Sequence, residues 1–367
     1  MRAWSGGREE YPWLMALIGM TIVSVVAAGI AGAIAGIPAH SVSRQNVMTI
    51  MAMTPISLFV VVIVLTTRAA MLQIPNPIGK ALAFVRGHAR SPAAVAACLL
   101  PILVLPWLMG SFGTLKMLMP RVVDFTWDDQ FAAIDRILFL GRHPWEISHF
   151  LMGNAVVTRI VDFIYSMWVA LLFFAVLVYA LFAPRYDRAR FFLAFGASWL
   201  LIGVVGAYVF ASAGPCFTAQ IGASSAPEFA SLMERLRTID SQSLVGAVRW
   251  QDKLWTHHST GHYALGMGIS AMPSMHNAIT WLYALTLKRA PLPYRVAAWA
   301  FVAVIFLGSI HLGWHYAVDG LVAFAMMSGI WWGAGAFLEK TATADALRGS
   351  GATAAADTGS PSGLLAA

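Results

Sequence analysis

The chain has 367 residues, of which 59% are hydrophobic and only 11% charged. Soluble domains carry roughly 25% charged residues, so a soluble core does not explain this composition, whereas a lipid solvent does, because charge is expensive there and helices satisfy their own backbone. The net charge of +7 falls in short basic clusters between apolar runs, with no basic stripe interleaved with aromatics; no nucleic-acid partner is indicated, and the pattern is that of membrane topology.

A membrane-crossing helix needs about 20 mostly apolar residues. The sequence predicts about eight, near 13–36, 47–66, 92–113, 160–182, 192–212, 270–288, 296–312 and 316–338. The fold class is therefore all-α integral membrane. The first run exceeds the roughly 7–15-residue apolar core of a signal peptide and reads as a retained anchor. Arg68, Lys80, Arg86 and Arg90 fall between the second and third runs, Arg185, Arg188 and Arg190 between the fourth and fifth, and Lys288, Arg289 and Arg295 between the sixth and seventh. The positive-inside rule then puts both termini in the cytoplasm and the long segments near 114–158 and 213–269 outside, as expected for a plasma (inner) membrane protein. Cys98 and Cys216 fall on opposite sides of this topology and read as packing residues, since a disulfide needs Cα atoms within about 7 Å.

Two span ends carry an acid, Asp162 and Asp319. Asp162 has no histidine near it in sequence and reads as a capping or interfacial residue. Asp319 lies four residues after His315, so a helix stacks the two on one face. A carboxylate on one imidazole nitrogen fixes the tautomer and makes the other a better nucleophile, although a buried pair that only holds helices together has the same spacing. Upstream, Pro273 is expected to open the sixth helix, with His276 in its first turn, where free N–H groups suit a phosphate. The helical hairpin between them turns at Lys288 to Arg295, and a rise of about 1.5 Å per residue returns the chain to the level of His276 just before His315. Two histidines and one acid thus converge at one outer site. Such a set can run phosphoryl transfer to water or an alcohol in two steps through a phosphohistidine. A proton-relay transporter, a non-catalytic scaffold and a His311–His315–Asp319 metal site are the other readings of these residue types.

Pro273-Ser274-Met275-His276 and His315-x-x-x-Asp319 resemble the second and third motifs of the type-2 phosphatidic acid phosphatase superfamily. The resemblance implies His315 as nucleophile, Asp319 as its polariser, His276 as general acid/base, and no metal or other cofactor. It implies a six-helix phosphatase-type core, so that 1–91 is a two-span N-terminal extension, 92–340 the six-helix catalytic domain and 341–367 an Ala/Gly/Ser/Thr-rich tail expected to be disordered. The donor is then a lipid phosphate or phospholipid, and the acceptor water or a lipid alcohol. Two departures stand out. Gly308 and Ser309 occupy the positions where the third motif has Ser-Arg, and the first motif, Lys-x6-Arg-Pro, is missing. Together with Tyr316 and the long outer segments, these departures look like the inositol phosphorylceramide synthase branch, whose members move a phospho-headgroup between lipids; Ser212-Ala213-Gly214-Pro215-Cys216-Phe217 also looks like loop sequence of that branch.

With that arginine missing, candidates to hold the phosphate are Lys116, Arg121, Arg142 and Lys253 in the outward segments, Ser274 within the second motif, and His311, which also suits a packing role. His257, His258 and His262 read as a solvated polar loop. Phe131 to Leu140, which follows Asp124, Asp128 and Asp129 and contains Asp135, reads as an interfacial helix over the site.

Overall fold

The computed structural model describes residues 7–36, 92–261 and 266–341, with a few isolated positions between 55 and 76. Most of the expected span at 47–66, the tail beyond 341 and His262 lie outside the described residues. Helix α1 runs Tyr11–Ile34, α2 Pro92–Leu118, α3 Asp128–Leu138, α4 Pro144–Met152, α5 Ala155–Phe182 and α6 Arg185–Leu200. Next come α7 Ala226–Gln242, α8 Gly246–Thr260, α9 Met275–Thr286, α10 Leu292–His311 and α11 Ala317–Lys340. A π-helical turn, Leu201–Gly206, carries α6 on to Val209.

Among the described residues, six helices are long and apolar enough to cross a membrane: Arg8–Ile34, Pro92–Arg121, Ala155–Phe182, Arg185–Val209, Leu292–His311 and Ala317–Lys340. The sequence placed a further span at 270–288. In the structure α9 has only 12 residues and begins at Met275. Residues before it spend their backbone on tertiary hydrogen bonds instead of a helix: Ala271 N–H donates to Ser212 O (2.9 Å) and Ser274 N–H to Asp319 O (3.3 Å). Pro273 therefore precedes the cap, Ser274, rather than opening the helix.

α6 is the central helix, packed by α1, α2, α9 and α11, while α5 lies against α2 and α10. Phe191, Phe192, Phe195 and Trp199 of α6 are buried, and Trp13 of α1 stacks on Phe192 at 6.2 Å. At the start of these helices Glu10 is fully buried, accepting from Arg185 Nε at 2.6 Å and from Trp13 Nε1 at 2.7 Å, with Arg188 Nη2 at 3.7 Å. Both cysteines are free and buried.

The opposite end of the bundle carries α3, α4, α7 and α8. Aspartates pin these segments by accepting two consecutive backbone N–H groups. Asp128 takes Ala213 and Gly214 (both 2.8 Å), Asp129 takes Ser224 and Ser225 (3.2 and 2.8 Å), Asp135 takes Ala317 and Val318 (2.7 and 2.9 Å), and Asp162 takes Gly246 and Ala247 (2.7 and 2.9 Å). Asp135 and Asp162 thereby cap α11 and α8, satisfying N–H groups that a helix start cannot. The capping role expected of Asp162 is thus exercised on another helix. The expected helix over Phe131 to Leu140 is α3, whose Ile137 and Leu138 are exposed beside the membrane-crossing bundle, as an interfacial helix requires.

Two stability predictions follow from these contacts. Glu10→Ala removes one of the two carboxylates on Arg185, the other being Glu9 at 2.8 Å, and is expected to cost about 1.5–3 kcal/mol, read as a lower melting temperature in detergent. Burial pushes the Asp135 carboxyl up to about 7 from 3.8, with Asp319 adding to the rise and the two amides opposing it. The folded state then holds this proton more tightly than the unfolded chain, and stability falls as pH rises from about 4 to about 7. Asp135→Asn is expected to flatten that part of the melting-temperature profile, and an unchanged slope would remove Asp135 as its source.

Candidate active site

The site is built where α9 begins, α10 ends and α11 begins. Ser274 caps α9: its Oγ accepts from Asn277 N–H at 3.4 Å and from Asn277 Nδ2 at 3.1 Å. This puts His276 second in the helix, in the first turn as expected. Its ring lies against Tyr165 (centroids 4.7 Å, 17° between planes) and Trp168 (4.1 Å), both on α5. Asn277 Nδ2 also reaches Ser309 Oγ at 3.4 Å, tying α9 to α10.

After α10 the chain turns through Gly313, with Trp314 and His315 N–H both donating to Ser309 O. His315 Nδ1 meets Asp319 Oδ2 at 3.1 Å, and the same oxygen accepts Tyr316 N–H at 3.1 Å. One carboxylate therefore fixes both the imidazole and the start of α11. The His276 and His315 rings are 6.3 Å apart. His315 and Asp319 are buried, at 8% and 0% exposure, so their interaction lies in a poorly screened setting.

Two glycines allow the surrounding loops to close. A side chain at Gly214, which has φ of 101°, would stand 2.6 Å from Trp314 O; one at Gly268 would stand 2.8 Å from Lys116 Cγ. Gly214 lies in the stretch 212–217, which brackets the site: Ser212 O accepts from Ala271, Cys216 N–H donates to Gly313 O, and Tyr316 Oη donates to Asp128 Oδ1 at 3.0 Å.

The four basic candidates separate clearly. Lys116, on α2, is close enough for its charge to act on both His276 and His315. Arg121, Arg142 and Lys253 have exposed side chains on the outer elements. Arg121 donates to Ala35 O at 3.3 Å, and Lys253 lies over the Trp250 ring. Ser274 Oγ is engaged as the α9 cap. His311 is fully buried with both ring nitrogens engaged, Nδ1 with Ser148 Oγ (3.2 Å) and Nε2 with Thr158 Oγ1 (3.0 Å), and it stacks on His149 at 4.1 Å. This is the packing arrangement rather than an open phosphate contact. His257 and His258 correct the polar-loop expectation: they lie in the last turn of α8, and His258 packs on Trp255 and Phe125. With Arg121, Met117 and Gly268 they line a pocket of about 350 Å³ beside the Lys116 contact.

Sequence reasoning missed four residues of the site. Asp128 and Asp135 were visible as an acidic cluster, but their backbone partners lie 85 to 183 positions away. Tyr165 and Trp168 look like any other aromatic residues of an apolar span.

The sequence profile of the PAP2 superfamily matches residues 129–333, more than half of the chain, taking in α3 to most of α11 and all of His276, His315 and Asp319. No curated protein and no solved structure matches significantly. The profile covers the histidine pair, its carboxylate and the helices that converge on them, so the chain belongs to the PAP2 superfamily and is a multi-pass helical membrane protein of the lipid phosphatase or phosphotransferase type.

Proposed function

We propose that this protein is a lipid phosphotransferase that moves a phosphate or phospho-headgroup between lipids through a phosphohistidine on His315. The observation that carries the reading is the His315–Asp319 contact at 3.1 Å, with the His276 ring 6.3 Å from that of His315. Asp319 holds the Nδ1–H tautomer, leaving Nε2 as nucleophile. In the first step Nε2 attacks phosphorus, the bond from phosphorus to the donor lipid's oxygen breaks, and protonated His276 gives its proton to that oxygen. In the second, His276 takes the proton from an acceptor hydroxyl, whose oxygen attacks phosphorus as the P–N bond breaks. Both histidines return to their starting forms, and no co-reactant is consumed. Lys116 is the cation we assign to the phosphate.

Transfer rather than hydrolysis, and a place near the inositol phosphorylceramide synthase branch, are supported by Gly308-Ser309 at the position of the motif's Ser-Arg and by Tyr316, whose hydroxyl joins Asp128 and the 212–217 bracket to the site. The basic residues Arg185, Arg188, Lys288, Arg289 and Arg295 lie at the other end of the bundle. They support a plasma (inner) membrane location with an extracytoplasmic site and cytoplasmic termini.

The test is purified protein assayed with phospholipid and lipid-phosphate donors against ceramide, diacylglycerol and polyprenol acceptors. His315→Ala is expected to lower turnover about a thousandfold or more, and rapid quenching at alkaline pH to trap labelled phosphorus on His315 in the wild type. Asp319→Asn is expected to lower it roughly 10³- to 10⁴-fold. Undiminished turnover by His315→Ala would sink the mechanism, and products formed only with water would assign a phosphatase instead.

A further inference from the structure

α5 brings to the site two aromatic rings whose polar atoms nothing in the described structure uses. Tyr165 and Trp168 are each 6% exposed, and Tyr165 Oη and Trp168 Nε1 are buried with no hydrogen-bond partner among the described residues. A buried donor left unpaired costs about 1–3 kcal/mol, so two of them three residues apart on one helix face need an explanation. Both rings lie on His276, and Tyr165 is near enough to Asp319 for that carboxylate to act on it. They therefore belong to the histidine pair's surroundings.

The site also lacks the arginine of the third motif. Ser309 stands where the third motif has an arginine, and it donates to Phe306 O at 2.7 Å. Among the described residues, Lys116 is the basic side chain whose charge acts on both histidines, and Asp319 opposes it.

We propose that Tyr165 and Trp168 are the anion donors of this site, their O–H and N–H binding the non-bridging oxygens of the phosphoryl group while Lys116 supplies the positive charge, and that this set selects a phosphodiester over a phosphomonoester. The inference rests on the phosphohistidine reading above. Its physical basis is charge. An arginine offers a fork of donors and a full charge, whereas phenol and indole donors are neutral. A phosphomonoester carries about −1.5 to −2 at neutral pH, as a phosphorylated side chain does, and its second charge would be buried without compensation. A phosphodiester carries one negative charge, which the site balances when Lys116 and the protonated His276 are set against Asp319.

Tyr165→Phe and Trp168→Phe test this directly, because each keeps an aromatic ring on His276 and deletes only the donor. With purified full-length protein, wild type is expected to turn over phosphatidylinositol and phosphatidylglycerol at least about tenfold faster than phosphatidic acid. Each variant is expected to lower phosphodiester turnover about 5- to 100-fold, the range that corresponds to one lost hydrogen bond. Melting temperature is expected to hold or rise, since an unpaired buried donor has been removed; a merely structural role would lower it. Vanadate, which needs no knowledge of the true substrate, is expected to raise the melting temperature of the wild type more than that of either variant. Turnover and vanadate shifts within twofold of wild type in both variants, with His315→Ala inactive, would overturn the donor assignment and leave the phosphohistidine intact. Preference for phosphatidic acid would overturn the charge selection. Full activity in His315→Ala as well would overturn the reading on which the inference rests.

Discussion

A carboxylate that accepts two neighbouring backbone N–H groups is the contact on which this site depends. Asp135 of α3 holds Ala317 and Val318, the first two residues of α11, and His315 lies just before them. Asp128 of the same helix holds the 212–217 bracket and the Tyr316 hydroxyl on either side of the His315 turn. A turn between membrane helices has few internal hydrogen bonds to fix its shape, and an unpinned loop would let His315 wander by more than catalysis tolerates. On the proposed mechanism the short amphipathic helix would act as a jig for the chemistry, although none of its own side chains belongs to the histidine pair.

Much of the fold was legible because its code is one-dimensional. Apolar length gave all six membrane-crossing helices of the described residues nearly in register, and basic clustering marked one end of the bundle. The His315–Asp319 pair was equally legible, since the i, i+4 spacing places both on one helical face. The start of α9 was not. Pro273 has the local signature of a first helical residue, but tertiary hydrogen bonds from Ala271 and Ser274 hold the preceding chain extended and move the cap to Ser274. Nor was it legible which of Lys116, Arg121, Arg142 and Lys253 lies nearest the histidines, because that depends on which basic residue lies against the loop at Gly268. Long-range acceptors such as Asp128 and hidden donors such as Tyr165 leave no periodic trace.

Membership of the PAP2 superfamily and the missing motif arginine bear on each other. On the proposed assignment, a site that replaces one charged fork with a lysine and neutral donors would change which phosphates it tolerates more than whether it can react. His311 shows the same economy of charge. A residue type suited to anion binding is held between Ser148 and Thr158, where it joins α10 to α4 and α5.

The brevity of α9 has a consequence for the supply of water. Its 12 residues span about 18 Å, against about 30 Å of hydrocarbon, so a helix that starts from the basic turn at Lys288 and Arg289 ends well short of the far boundary. With the basic turn taken as one membrane boundary, as in the proposed orientation, His276 would stand below the level of the far headgroups. At that depth the reactants compete by their solubility in the bilayer: a lipid alcohol arrives by lateral diffusion, while each water molecule must leave the bulk. On the proposed phosphohistidine reading, depth alone, before any specific contact with the acceptor, would tilt the second step from hydrolysis toward transfer.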